Sequence, residues 1–422
     1  MTSNRFGPRF APLRYDPARR FVPFTAISRT EVIAVHDRFE AARSELFGDL
    51  EGQPGENLSL VDSPQRMLAD YQRSRRESEL GRMLALGKRL REAVDRVVIL
   101  SAHGSLLGVR ALFAAACHPY HNELSRGDRG GRPRIYFVGG GPNRSDFDND
   151  ALQALLDLLC HTRRATTVEE RWALIAIDCD GNGTAKPDAP TALPCLLAAL
   201  ERSCGGDREA AAELLVPIAV AQSSVVELVA AIGCHDRFSP PTALMAPASV
   251  LMAPGLVPAA AMGIDIVALL KGAAMIGEQF RTAPPGDNPA LDFAAVSHVA
   301  ERWDSSVGGG IVAQSSALAA TATWCTESQL QRGRQLEHEL QYHGDPLRGG
   351  FATQIIVDAL RRDRLLVPES PQKPDGGWLT RCGVIHLPSH EESSLGQLLQ
   401  MMLLAAEIRR RLGVSSAAEK ID

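Results

Sequence analysis

An apolar, β-branched run from Arg96 to Leu100 empties into Ser101-Ala102-His103-Gly104-Ser105-Leu106-Leu107-Gly108. Glycines in such a turn let backbone N–H groups approach a ligand, and a helix opening there favours an anion. Gly104 and Ser105 are therefore candidate binding residues for a phosphate or another anionic group. A second apolar run, Trp172 to Ile177, ends in Asp178-Cys179-Asp180-Gly181-Asn182-Gly183-Thr184. Asp178 and Asp180 could hold a divalent cation, although two alternate carboxylates after a strand more often form a solvated turn. His118-x-x-His121 beside Cys117, and His386-x-x-x-His390, have spacings that a metal could use. Pro119 places the first pair in a loop and neither pair has a supporting carboxylate pattern, so no metal and no cofactor is expected.

The elements that must position these residues are alternating strands and helices. Strands are expected at Arg96–Leu100, Arg134–Val138, Trp172–Ile177 and Val216–Ala221, with helices near Ser105–Cys117, Asn149–Cys160, Pro190–Ser203 and Ser224–Ile232. Strand and helix at this spacing mean βαβ units and a parallel sheet with helices on both faces. Upstream, Ser28-x-x-Glu31 has the form of a capping box opening an amphipathic helix. Downstream, the block from Ala243 to Gly277 reads as buried helices broken by Pro254 and Pro258. Short strands at Gly310–Gln314, Thr353–Val357 and Gly383–Leu387 follow, and an amphipathic helix at Ser393–Leu412 closes the pattern. The organisation expected is an N-terminal helical extension (1–60), a first α/β domain (61–235) and a second α/β domain with a C-terminal helix (236–422).

Composition narrows the function classes. The chain has 422 residues, is 45% hydrophobic and carries a net charge of −5 without a basic stripe, so no nucleic-acid partner is expected. Its eight cysteines form no C-x-x-C pair and read as reduced structural thiols. No window of eighteen apolar residues suggests a membrane partner, and a cytoplasmic location is expected.

Several motifs together resemble the glucose-6-phosphate isomerase family. The turn at Ser101–Gly108 is similar in its second half to the family's G-I-G-G-S-x-L-G, and Tyr136-Phe137-Val138-Gly139-Gly140-Gly141 lies where the family has F-V-G-N/D-N. Arg237-Phe238-Ser239 matches the end of V-G-G-R-F-S, and Gly255-Leu256-Val257-Pro258, Leu269-Leu270-Lys271-Gly272-Ala273 and Asn288-Pro289-Ala290 follow in the family's order. The resemblance implies an α/β fold of two sugar isomerase (SIS) domains, each a parallel sheet flanked by helices, with a cleft at the strand C-termini between the halves. It also implies a sugar or sugar-phosphate ligand, a homodimer, and isomerisation between glucose 6-phosphate and fructose 6-phosphate, a step of glycolysis and gluconeogenesis.

The resemblance assigns roles residue by residue. Arg237 matches the arginine that stabilises the enediolate; the alternative for it is a structural ion pair. The proton-transferring glutamate falls on Glu327 if four residues are deleted after Trp324, and on Gln331 otherwise. The histidine falls beside His338, with His343 a second choice, and Lys420 stands for the lysine. Gly181 and Thr184 remain of the phosphate loop S-K-S-G-x-T, into which Asp178 and Asp180 bring negative charge. A carboxylate about 5 Å from a phosphate dianion costs on the order of several kcal/mol at an effective dielectric near 20. Three readings follow: the family reaction, a catalytically silent homologue that binds a sugar derivative or a protein partner, and an isomerase of a non-phosphorylated or cationic sugar.

Overall fold

The computed structural model describes residues 11–17, 28–52, 61–101, 103–139, 149–160, 165–179, 192–221, 223–230, 232–234, 236–240, 246–303, 310–329, 353–359 and 383–418. In chain order its elements are β1 (Arg14–Asp16), α1 (Arg29–Gly52), α2 (Ser63–Ser74), α3 (Glu79–Ala93), β2 (Arg96–Ser101), α4 (His103–Ala116), β3 (Arg134–Val138), α5 (Asn149–Leu159), β4 (Trp172–Asp178), α6 (Ala192–Ser203), α7 (Arg208–Glu213), β5 (Leu215–Ala219) and α8 (Ser224–Ala230). Then come α9 (Ala253–Ala261), α10 (Ile266–Thr282), α11 (Pro289–Trp303), β6 (Ile311–Ala313), α12 (Ala319–Gln329), β7 (Thr353–Ala359), β8 (Gly383–Ser389) and α13 (Glu392–Ala418). No helix among the described residues is long and apolar enough to cross a membrane.

The first sheet has the order β3-β2-β4-β5, all parallel. Its central strands are buried on both faces, which is why they read as continuous apolar runs. On one face Val98, Leu100, Leu174 and Ala176 pack with Leu193, Leu196 and Leu200 of α6. The other face carries Phe137, which meets Phe113 of α4 edge to face. The chain runs from β2 outward to β3 and then back past β2 to β4, so the order reverses between β2 and β4. Ligands of open α/β sheets bind outside the carboxyl ends of the strands at such a point.

Asp95, just before β2, is fully buried and accepts hydrogen bonds from Arg126, Arg129 and Arg134. Its backbone N–H donates to Arg171 O and its carbonyl accepts from Arg134 N, so one residue links the entries to β2, β3 and β4. Asn122 closes the open edge of β3: its side-chain amide donates to Ile135 O at 2.8 Å and accepts from Ile135 N at 2.9 Å. An edge strand sealed this way offers less backbone for a stray chain to pair with.

The second sheet has the order β1-β8-β7-β6, with β6, β7 and β8 parallel and β1 antiparallel on the edge of β8. β1 has no sequence signature, because three residues are too few for a period-two pattern. Ser28 and Glu31 form the expected capping box: Ser28 N donates to Glu31 and Glu31 N to Ser28 Oγ, at 2.9 and 3.1 Å. Helix α1, which they open, packs on α11 and α13.

The compact units differ from the division read from the sequence. One unit is Arg66–Ile266, and the other joins Met1–Gln65 to Val267–Asp422. Residues 236–266 stay with the first sheet because Phe238 pairs beside Ile218 of β5 and α9 packs on α3 and α4. The helical N-terminus belongs with the second sheet. Pro254 starts α9 as a breaker should, but Pro258 lies inside it, contrary to expectation. A single lost ladder bond is tolerated there because all nine residues of α9 are buried.

Two close approaches set the tightness of the second unit. A methyl group added at Gly272 would lie 1.8 Å from Ser393 O, and one at Gly396 would lie 1.9 Å from Leu269 O, so α10 and α13 pack backbone to backbone. Gly272→Ala is expected to cost about 1–3 kcal/mol by overpacking, read as a lower urea midpoint. Asp95→Ala is expected to cost about 3–5 kcal/mol in the same measurement, since three guanidinium groups lose their common counter-charge. An unchanged midpoint in either variant would contradict these packing assignments.

Candidate functional site

At the carboxyl edge of the first sheet, strands β2, β3, β4 and β5 end at Ser101, Val138, Asp178 and Ala219, each within one residue of its neighbour's register. Helix α4 begins at His103, two residues earlier than its sequence suggested, which puts Gly104 and Ser105 in its first turn. The first N–H groups of a helix have no intrahelical partner, so this turn presents donors at the β2/β4 reversal. Ser105 is buried and Gly104 half-buried.

Asp178 ends β4 on the opposite side of the reversal and accepts a hydrogen bond from Ser223 Oγ. Ser223 Oγ in turn accepts from Val225 N at 3.0 Å, capping α8, and Val220 N donates to Asp178 O. The Asp178 carboxylate thus ties the end of β4 to the start of α8. Asp180, Gly181 and Thr184 lie outside the described residues.

The segment around Arg237 is held by three independent contacts. Asp236 pairs with Arg89. Arg237 O accepts from Arg82 at 2.9 Å, and the Arg82 guanidinium stacks 5.0 Å from the Phe238 ring centroid. Phe238 N donates to Pro217 O and Phe238 O accepts from Ala219 N, adding one strand-like residue beside β5. The Arg237 side chain is exposed, and its guanidinium makes no hydrogen bond or ion pair among the described residues. The structural ion pair considered for Arg237 belongs instead to its neighbour Asp236. Burial pushes the nearby Cys234 thiol up to about 11, with Arg237 pulling the other way, so this sulfur stays protonated and is no nucleophile.

Glu327 lies on α12, half-buried, and its carboxylate makes no hydrogen bond or ion pair among the described residues. Arg237 and Glu327 belong to different compact units. Gln331, His338, His343 and Lys420 lie outside the described residues.

The histidine pairs have structural partners. His121 is buried, its Nε2 lies 2.9 Å from Pro133 O and its ring meets Phe113 edge to face. His118 Nδ1 accepts from Tyr120 N, and His386 Nδ1 lies 3.2 Å from Asp358. Among the described residues no group of three or more His, Cys, Asp or Glu side chains could hold a metal ion.

A residue that sequence reading missed stands at the same edge. Arg110, two turns into α4, places its guanidinium 5.4 Å from the Phe137 ring centroid and donates to Gly139 O at 3.4 Å. A lone arginine in an apolar helix has no sequence signal that separates it from a solvated one.

Comparison with known proteins supplies relatives. A glucose-6-phosphate isomerase of Symbiobacterium thermophilum is 31% identical over 305 residues, covering 69% of this chain and 64% of that protein. One of Acetivibrio thermocellus is 25% identical over 378 residues, covering 86% and 77%. The chain spans less than two thirds of the first relative, and 53% of a third from Shouchella clausii. No family model matches. Among solved structures, a hypothetical protein from Thermus thermophilus aligns over 97% of this chain and 99% of its own, with TM-score 0.67 and 18% identity. A glucose-6-phosphate isomerase from Chlamydia trachomatis aligns over 94% and 86%, with TM-score 0.61 and 15% identity. The likeness to these two structures is one of fold.

Burial is the largest influence on His121 and holds its pKa below the ordinary 6.5, with the Pro133 carbonyl opposing. A depressed histidine favours the neutral native ring, so its contribution is intact above about pH 6.5 and is lost as pH falls through the native value. Titration of its ring protons by NMR is expected to give a midpoint below 6.5. A midpoint at or above that value would overturn the buried, neutral assignment.

Proposed function

The chain belongs to the glucose-6-phosphate isomerase family, and from that premise we propose that it binds a phosphorylated aldose or ketose at the carboxyl edge of the first sheet. The observation that carries the proposal is Arg237: a backbone fixed from three sides, and an exposed guanidinium without a counter-ion among the described residues. A preorganised cation of this kind stabilises negative charge developing on a sugar oxygen at little reorganisation cost. The first turn of α4, with Gly104 and Ser105, supplies N–H donors for the ligand's anionic group.

A second reading, interconversion of glucose 6-phosphate and fructose 6-phosphate, is favoured by Glu327. Moving a proton between C1 and C2 needs a carboxylate not already committed to an ion pair, and Glu327 meets that requirement among the described residues. A neutral or cationic ligand facing Asp178 has less support, because Ser223 already engages that carboxylate.

Calorimetric titration with fructose 6-phosphate is expected to show saturable binding that Arg237→Ala weakens by about 10- to 100-fold, the loss of one charge-assisted hydrogen bond. The same samples assayed for glucose 6-phosphate formation separate the readings. Turnover lost in both Arg237→Ala and Glu327→Gln supports the isomerase, whereas binding without turnover supports the silent homologue. Failure of the wild type to bind any sugar phosphate would overturn both.

A further inference from the structure

We propose that Arg110 is the cation that meets the ligand's phosphoryl group, through a subsite it forms with Ser101 at the carboxyl ends of β2 and β3. The inference rests on the sugar-phosphate reading above and adds the residue that selects an anionic ligand.

Register brings the two side chains together. β2 and β3 pair Leu100 with Val138, and one further step brings Gly139 beside Ser101. Arg110 donates to the carbonyl of that same Gly139, so its guanidinium is held on the residue that follows β3, the strand beside Ser101. Side chains alternate along β2, which puts Ser101 on the face of Ile99 and its partner Phe137, and Phe137 is the ring beneath Arg110. Arg110 lies six residues beyond Gly104, about 9 Å along the helix axis, and helical side chains lean toward the N-terminus. The guanidinium therefore reaches back toward the turn that holds Gly104 and Ser105.

Both groups have unused hydrogen-bonding capacity. Ser101 is 1% exposed and its Oγ has no partner among the described residues, and Arg110 Nε is likewise buried without one among them. Arg110 has no carboxylate partner among the described residues, and its bond to Gly139 O is long. A half-buried guanidinium in that state is disfavoured by desolvation, and burial does hold its pKa below the ordinary value. An anion entering beside it would complete the missing interactions at once. Among the described residues the carboxylate at this edge, Asp178, ends β4 on the far side of β2, so charge there favours an anion on the β3 side.

The test is calorimetric titration of wild type, Arg110→Gln and Arg110→Lys with fructose 6-phosphate, inorganic phosphate and unphosphorylated fructose. Arg110→Gln is expected to weaken fructose 6-phosphate and phosphate about 10- to 100-fold, with Arg110→Lys recovering part of the loss and fructose binding unmoved. Equal affinity for fructose 6-phosphate in wild type and Arg110→Gln overturns the role of Arg110 while leaving the sugar-phosphate reading in place. No binding to wild type overturns both. Should Arg110→Gln fail to fold, phenylglyoxal labelling of wild type read by mass spectrometry decides: fructose 6-phosphate is expected to shield Arg110, and labelling unchanged at saturating ligand overturns the proposal.

Discussion

Three strands of the first sheet take their starting point from one buried carboxylate. Asp95 accepts from Arg126, Arg129 and Arg134, while its own backbone bonds to Arg171 and Arg134 at the entries to β4 and β3. Burying an ionised carboxylate is costly unless it is paired and fully hydrogen-bonded, and here three guanidinium groups do both, two from the segment before β3 and one from its first residue. Because β2, β3 and β4 are short and in register from that point, fixing their entries also fixes their exits. The exits are Ser101, Val138 and Asp178, the positions around which the proposed binding edge is built.

Much of this fold was legible because parallel strands buried on both faces must be apolar throughout. Arg134–Val138 was read to the residue, and β2 and β4 to within one at their ends. What escaped was decided by packing over long sequence distances. β1 forms because Arg14, Tyr15 and Asp16 find the edge of β8 some 370 residues away, by the pairing of Arg14 with His386. Pro258 survives in α9 because the helix is buried on every side, a fact that no local propensity carries. The boundary between units moved to Ile266 because Phe238 joins β5 and α9 covers α3, contacts between segments that composition treats as separate.

The candidate site divides along the same line. Gly104 and Ser105 could be read from the turn itself, and Arg237 from a motif whose neighbours, Asp236 and Phe238, prove to be what hold it. Asp178 read as a hazard to an anion; its bond to Ser223 shows a carboxylate occupied in fastening β4 to α8. Arg110 could not be read at all, since its meaning lies in Phe137 and in Gly139, 29 residues on. The edge is thus polarised, with a tethered carboxylate at the end of β4 and, beside β3, a guanidinium with no carboxylate partner among the described residues, a pattern that favours an anionic ligand with a defined orientation.

The central claim is that a sugar phosphate sits at this edge of the first sheet. A crystal structure of the protein grown with fructose 6-phosphate tests it most directly. The account predicts sugar density within hydrogen-bond reach of Arg237, with the phosphoryl group at the first turn of α4. Density bound elsewhere, or an edge left without ligand at a saturating concentration, would contradict it.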